Sequence, residues 1–375
     1  MAQAELRVCH IVSGDGWGGA ERVVSLLLPG LFKCSELKIS VVLFNHGQLS
    51  SILDDHGVEI HVILEEGRSF LDLCRELRSW FSTREFDVIH VHRYKELAAA
   101  MLALAPRIPS LVVTVHGLQP WSQVGFLEGG KYWGFMIIAR LFNTSFVAVS
   151  SEIERRLCMV LGRSKTTHIP NPIPNVPKLE KVCDLRAMLG WLPTTKVVGF
   201  VGRLEFVKGP DLFLQIASMC SGEVGFVIIG GGAMEGDLKA SVQAGGLKAR
   251  VYFVGQVKDA TSFISQLDVL ALTSRHEGLP MVLLEAASCE IPVVAFDVGG
   301  VRQVADGGAA ARLVRFGDLH GFVQAIQDVL GAPADVQSGI SSWTNTVRSK
   351  FSLQRVVKAY SDLYHRAAGR QFGSS

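Results

Sequence analysis

The sequence has little excess of either charge. Its 37 basic and 35 acidic residues leave a formal net charge of +2 over 375 residues. Nucleic-acid binders carry a much larger basic excess, so no nucleic-acid partner is expected. Cysteine is sparse and unpatterned. The seven residues, Cys9, Cys34, Cys74, Cys158, Cys183, Cys220 and Cys289, are odd in number and form no C-x-x-C. This argues against a disulfide framework or a structural zinc site and fits a reducing compartment. Apolar stretches such as 23–32 stop well short of the ~20 residues that cross a bilayer. No basic segment leads into an apolar one at the N-terminus, so no signal peptide is expected. The expectation is a cytoplasmic protein that at most touches the inner face of the membrane.

What is present is apolar and regular. Apolar residues make up 48% and charged residues 19%, which excludes global disorder. The length suits about two domains of roughly 150 residues. Short β-branched runs at 6–12, 39–44, 59–64, 87–91, 111–115 and 145–149 read as buried parallel strands, with a helix near 20–31. Residues 169–177 carry four prolines, which no helix or central strand accommodates, and read as a stiff, extended linker. The pattern then restarts, with strands at 196–201, 224–229, 250–254, 269–273 and 292–296 and a helix at 281–288. The last helix, 353–367, follows a less ordered stretch. This is an α/β chain with two Rossmann-like domains, 1–170 and 178–350. Such sheets bind ligands at their strand C-terminal edges, so the site is expected in the interdomain cleft.

Glycine-rich loops follow several strands. Gly14, Gly16 and Gly19 satisfy G-x-G-x-x-G, a spacing that lets backbone approach a phosphate at a helix N-terminus. A dinucleotide reading also needs an acid at the end of the second strand. That strand ends in Phe44, Asn45, His46 and Gly47, and the nearest acids are Asp54 and Asp55. A tight turn explains the loop about as well as a ligand does, although Gly18 and Gly19 favour the ligand. Gly230, Gly231 and Gly232 form a second such loop.

Charged residues mark two further strand ends. Arg203 and Lys208 flank a loop that opens a helix, and two cations beside a helix N-terminus suit a diphosphate. Glu277 and Glu285 enclose seven residues, with Gly278, Leu279 and Pro280 turning the chain between them. Glu285 falls on an apolar helical segment, where a carboxylate needs partners, and a ribose diol offers two donors. His90 and His92 alternate on one strand. A metal pair is one reading of them; a structural or acceptor-side role is the other.

Together these segments resemble the retaining glycosyltransferases of the GT-B fold, family 4. Residues 277–285 resemble that family's E-x7-E motif, 14–22 its N-terminal glycine loop, 86–92 and 114–117 its N-domain strand ends, 202–209 its phosphate loop and 230–232 its nucleotide-side loop. The resemblance spans nearly the whole chain. It implies that Arg203 and Lys208 stabilise the departing diphosphate, that Glu277 contacts the donor sugar, and that His116 lies beside that sugar. It further implies that Glu285 holds the ribose, with Gly278 and Leu279 giving backbone amides. Gly16, Gly18 and Gly19 would pass close to donor and acceptor, and Gly231 and Gly232 would flank the nucleotide. The implied substrates are a nucleotide-diphosphate sugar, UDP rather than GDP, and a saccharide or lipid-linked saccharide acceptor. The implied product is a surface polysaccharide or glycoconjugate. No cofactor is implied, and no D-x-D metal motif occurs. The implied chemistry is a hexosyl or N-acetylhexosaminyl transfer by front-face substitution. Helix 353–367 is expected to pack back on the first domain. The linker departs from the family pattern, reading Pro170, Asn171, Pro172, Ile173.

Residues 121–142 are rich in aromatic and aliphatic side chains, with Lys131 and Arg140 the cations. The segment is apolar almost all round, and a helix buried in the first domain is the expected reading; peripheral membrane contact through aromatic anchors is the alternative. Two other function classes remain. An NAD(P)-dependent oxidoreductase lacks its acid at the second strand. A non-catalytic two-domain sugar-binding protein lacks the export signal of the transport type.

Overall fold

The computed structural model describes residues 5–14, 16–106, 108–118, 126–175, 184–305, 308–331 and 333–369. In chain order these form β1 (Leu6–Val12), α1 (Gly19–Phe32), β2 (Leu37–Leu43), α2 (Gln48–Asp55), β3 (Glu59–Val62), α3 (Phe70–Ser82), β4 (Val88–Val91), α4 (Tyr94–Leu104), β5 (Ser110–Val115), α5 (Phe126–Arg140), β6 (Thr144–Ala148), α6 (Ser151–Leu161) and β7 (Thr166–His168). There follow α7 (Leu185–Met188), β8 (Lys196–Val201), α8 (Pro210–Met219), β9 (Val224–Ile229), α9 (Glu235–Ala244), β10 (Val251–Gly255), α10 (Thr261–Ile264) and β11 (Val269–Leu272). The chain ends with α11 (Met281–Ser288), β12 (Val293–Phe296), α12 (Val301–Val304), β13 (Ala311–Val314), α13 (Leu319–Gly331), α14 (Pro333–Lys350) and α15 (Leu353–Ala367). Two compact units result: Met1–Pro172 with Leu353–Ser375, and Ile173–Ser352.

The first unit holds a seven-stranded sheet in the order β3-β2-β1-β4-β5-β6-β7. The second holds a six-stranded sheet, β10-β9-β8-β11-β12-β13. Every pairing is parallel. Helices must therefore cover both faces, which is why the central strands are buried almost along their whole length. The strand order reverses between β1 and β4 and between β8 and β11. At such a switch point the loops diverge and leave a crevice at the strand C-terminal ends.

Helix α15 returns to the first unit. Val356, Tyr360, Leu363 and Tyr364 recur at helical spacing and are all buried. They join the core formed by α1, β1 and β2, which includes Leu27, Leu31, Val8 and Val41. The linker is fastened at Ile173, whose amide bonds the Phe351 carbonyl at 2.7 Å, and at Pro174, whose carbonyl accepts from Ser288 Oγ at 2.7 Å. Linker residues 176 and 177 lie outside the described residues, as does Cys183; the six described cysteines are free.

Two expectations need correction, and two strands have no signature in the sequence. The stretch before the last helix is not less ordered: α13 and α14 fill it. Helix α14 is rich in Ser, Thr, Asn and Gln, which masks its apolar stripe of Val336, Ile340, Trp343 and Val347; all four are buried, and the Trp343 indole N–H bonds the Val304 carbonyl at 2.8 Å. Strands β7 and β13 are edge strands of three and four residues, too short to show as apolar runs. Helix α5 is not buried all round. Met136 and Ala139 face inward, but Ile137 and Ile138 stand about half exposed and Leu141, just beyond the helix, is 81% exposed. Residues 121–125 lie outside the described residues.

Candidate active site

In the second unit the site is built at the ends of β8 and β11. Arg203 and Lys208 follow β8, and Glu277 follows β11. Lys208 Nζ donates to both oxygens of Glu277, at 2.7 and 3.0 Å. Ser274 Oγ donates to the same carboxylate at 2.6 Å. Glu277 is buried, 6% exposed, and buried charge is tolerated only when paired in this way. Arg203 is exposed and bonds Glu205 at 2.6 Å. The two cations of the loop are therefore unequal: one is bound to the buried glutamate and the other is open to solvent.

Local backbone holds this arrangement. Gly209 is the N-cap of α8 at φ 66°, and Pro210 opens the helix. A Cβ on Gly209 would stand 2.1 Å from the Thr273 carbonyl oxygen, so the β8 and β11 loops meet only because this residue has no side chain. Thr273 Oγ1 bonds the Gly209 carbonyl at 2.8 Å, and the Arg275 amide bonds Val207 at 2.8 Å. Arg275 grips Asp211 with two bonds, 2.7 and 2.6 Å, and lies over the Phe206 ring at 3.8 Å. Burial would raise the Asp211 carboxyl, but the Arg275 hydrogen bonds override it and hold it below the usual range. Sequence reading missed Thr273, Ser274, Arg275 and Asp211, because long-range pairing between loops has no local signature.

The glycine loop after β9 packs against the β8 loop. The Gly231 carbonyl accepts from the Leu204 amide at 2.9 Å, and the Gly202 amide bonds Ile229 at 3.0 Å. A Cβ on Gly232 would press on the Leu204 backbone at 2.7 Å, so Gly231 and Gly232 serve loop packing whatever else they bind. Glu285 lies on α11 and is buried, with Gly278 and Leu279 buried just ahead of that helix. Burial and then the Glu285 charge push the neighbouring Cys289 thiol up to about 12. Lys208 and Glu277 are in contact. Arg203 and Glu285 touch neither through any bond described.

In the first unit the ends of β1, β4 and β5 converge. Gly16 is exposed, Gly18 is the N-cap of α1, and Gly19 is its first residue. A Cβ on Gly16 would meet nothing within 4 Å, so that position is open to an approaching group. Asp15 lies outside the described residues. Ser13 donates twice to Glu96 Oε1, by its amide at 2.8 Å and its hydroxyl at 2.7 Å, and the His92 amide donates to Oε2 at 3.1 Å. Glu96 thus ties the β1 loop to the end of β4. Burial raises its pKa, against the pull of the Ser13 bonds. Glu21, buried at the start of α1, is paired with Arg93.

Four histidines share this edge. His10 and His90 are register partners on β1 and β4; His92 and His116 follow β4 and β5. His92 bonds His10 at 3.2 Å and His116 at 3.2 Å. Burial drives the pKa of His10 to about 3 and of His116 to about 3, the latter helped by Arg93. It pushes His90 and His92 well below the usual value, reinforced by the neighbouring histidines. All four rings are neutral at physiological pH.

Two family models match this chain. "Glycosyltransferase Family 4" matches residues 17–175 and "Glycosyl transferases group 1" matches 195–332. The 2-deoxystreptamine N-acetyl-D-glucosaminyltransferase of Streptomyces fradiae is 31% identical over 331 residues, covering 81% of this chain and 76% of that protein. The chain belongs to the family 4 glycosyltransferases. An Escherichia coli galactosyltransferase, UDP-Gal:alpha-D-GlcNAc-diphosphoundecaprenol alpha-1,3-galactosyltransferase, is 24% identical over 96% of this glycosyltransferase and 97% of its own length. The crystal structure of Anabaena HepE in complex with UDP-glucose superposes with a TM-score of 0.84 at 19% identity, covering 96% of this chain and 100% of HepE. That likeness establishes the GT-B fold of the glycosyltransferase, with its two Rossmann-like domains.

Proposed function

We propose that this glycosyltransferase moves a hexosyl or N-acetylhexosaminyl group from a UDP-sugar, with retention, to a saccharide or lipid-linked saccharide in surface-polysaccharide or glycoconjugate synthesis. The observation that carries the reading is the Lys208–Glu277 pair at the switch point of the second sheet. An ammonium has three donors, so Lys208 can hold Glu277 and still meet a phosphate oxygen. When the sugar C1–O bond breaks, its electron pair stays on the diphosphate. Lys208 and Arg203 stabilise that charge. Glu277 accepts from donor-sugar hydroxyls, and Glu285 accepts from the ribose diol. Gly278 and Leu279 supply amides. The acceptor oxygen attacks C1 from the face the diphosphate leaves, and its proton passes to the departing phosphate. His116 is the contribution of the first unit to sugar binding, with Gly16, Gly18 and Gly19 leaving room for donor and acceptor.

UDP is favoured because HepE was solved with UDP and UDP-glucose and because the E. coli relative's name specifies UDP-Gal. A lipid-linked acceptor at the inner face of the membrane is favoured by that relative's diphosphoundecaprenol substrate. The test is a panel of UDP- and GDP-sugars with mixed acceptors, following nucleotide release with and without EDTA and reading the product anomer by NMR. Expected are turnover of a UDP-hexose or UDP-N-acetylhexosamine, retained configuration, and no loss in EDTA. Turnover of GDP-sugars alone overturns the base. An inverted product overturns the stereochemistry, and a metal requirement restored by add-back overturns the cation mechanism. No release from any donor and no thermal stabilisation by any nucleotide overturns the reading itself.

A further inference from the structure

The four histidines belong to a longer buried chain of hydrogen bonds that starts on α15. The Tyr360 hydroxyl meets Thr114 Oγ1 at 3.1 Å, and Thr114 Oγ1 meets His90 Nε2 at 2.8 Å. His90 Nδ1 meets the Tyr364 hydroxyl at 2.7 Å, which meets His10 Nε2 at 3.2 Å. His10 Nδ1 meets His92 Nε2 at 3.2 Å, and His92 Nδ1 meets His116 Nε2 at 3.2 Å. The last atom, His116 Nδ1, is shielded from solvent and has no partner among the described residues.

His10, His90 and His92 also lie close enough to suggest a metal site. Ring geometry argues against it. The rings of His90 and His92 are stacked at 4.3 Å and 27°, both His90 nitrogens are already bonded to Tyr364 and Thr114, and the facing nitrogens of His10 and His92 are bonded to each other at 3.2 Å. Imidazole lone pairs lie in the ring plane, so stacked rings send them side by side and not toward one ion.

A neutral imidazole has one donor and one acceptor nitrogen, and a hydroxyl has one proton. A hydroxyl can accept from both neighbours, but a reversal at Thr114 or Tyr364 leaves that hydroxyl's own proton without a described acceptor, so the bonds run one way along the chain. If protons point toward His116, Tyr360 donates to Thr114 and each link is met; left without a described partner are the N–H on His116 Nδ1 and the accepting side of the Tyr360 oxygen. If they point the other way, Thr114 donates to Tyr360. The buried Tyr360 O–H then has no acceptor among the described residues, and His116 Nδ1 is left as a bare acceptor. Each arrangement leaves one donor and one acceptor without a described partner, but the first idles only a phenol oxygen, a much weaker acceptor than the imidazole nitrogen that the second leaves bare, and the stronger group costs more to leave unmet.

We propose that this chain is a positioning device: α15, through Tyr360 and Tyr364, sets the tautomer of His116 so that Nδ1–H is held as a hydrogen-bond donor for a substrate oxygen. The inference deepens the reading above and rests on it only for the identity of that oxygen. Tyr360, Thr114, His90, Tyr364, His10 and His92 act through His116 and touch no substrate themselves.

The test reads tautomers directly, without turnover. Full-length protein labelled with 15N-histidine is examined by long-range 1H–15N correlation, with single His→Gln variants assigning the rings. Expected in the native protein is His116 protonated at Nδ1, favoured roughly tenfold or more over the Nε2 form. In Tyr364→Phe, which removes one hydroxyl and keeps the ring, the two forms should become comparable. Native His116 protonated at Nε2 overturns the proposal whether or not the protein transfers sugar. So does a Tyr364→Phe spectrum with the His116 tautomer unchanged. So does equimolar zinc shifting the His10, His90 and His92 signals together, which would make the cluster a metal site. The native spectrum decides the matter even if Tyr364→Phe fails to fold.

Discussion

Arg203 and Lys208 are five positions apart in one loop, yet substitution should affect them differently. Lys208→Ala strands the buried Glu277 carboxylate, leaving Ser274 as its described side-chain partner. Losing one charge-assisted contact to the leaving group costs about 2.7–4 kcal/mol in the transition state. Turnover should therefore fall about a hundredfold or more, and the melting temperature should fall with it. Arg203 is exposed and paired with Glu205, a type of pair worth at most about 1 kcal/mol to stability. Arg203→Ala should lower turnover and leave the melt unchanged. Steady-state kinetics beside calorimetry on both variants checks this; near-native turnover in Lys208→Ala sinks the clamp assignment. The identities of these residues were legible from the strand-end pattern. Their inequality was not, because it depends on which one reaches Glu277, 69 residues away.

At the level of elements, α5 and α6 each end in exposed apolar residues. Ile137, Ile138, Leu141, Met159 and Val160 are each 40% exposed or more, with Leu141 at 81% and Met159 at 78%. Arg140 and Arg163 lie alongside them in sequence. Exposed apolar residues beside cations suit shallow insertion into an anionic lipid surface. This is the surface of the first unit expected to meet a lipid bilayer. Leu141→Ser combined with Met159→Ser should weaken cosedimentation with phosphatidylglycerol vesicles several-fold and leave UDP affinity unchanged. Equal sedimentation of variant and native protein removes these residues from the account. The sequence showed that residues 121–142 were apolar, but burial of Met136 and Ala139 beside exposure of Ile137 and Ile138 depends on what α5 packs against. Helix α14 shows the reverse: its polar composition hid a buried stripe.

For the whole molecule, the neutral histidine array makes stability depend on pH. The folded-state pKa values of His10 and His116 lie near about 3, against 6.5 for the ordinary group, and His90 and His92 are lowered in the same direction. The unfolded chain therefore binds protons below pH 6.5 that the folded chain refuses. Stability is fully present above pH 6.5 and declines as pH falls toward 3. Each histidine contributes at most about 1.4 kcal/mol per pH unit. Arg93 adds to the effect, whereas Glu96, buried beside His92, is itself shifted upward. The urea midpoint should drop clearly between pH 7.5 and 5.5, before ordinary carboxylates titrate. An unchanged midpoint across that interval contradicts a neutral, buried array.

Two parallel α/β units, their strand-end glycine loops, the E-x7-E spacing and the closing helix could all be read from the sequence. The elements and loops rest on local rules, because strand burial, turn geometry and helix periodicity are set by neighbouring residues, whereas the E-x7-E spacing was read through its resemblance to the family. The tertiary structure alone decided which charges pair, which apolar residues stay exposed, and that His10, His90, His92 and His116 join Tyr360 and Tyr364 in one chain. Those residues lie up to 354 positions apart. Parallel pairing of β1 with β4 and the return of α15 bring them within hydrogen-bonding distance, and no pattern local to any one segment encodes that meeting.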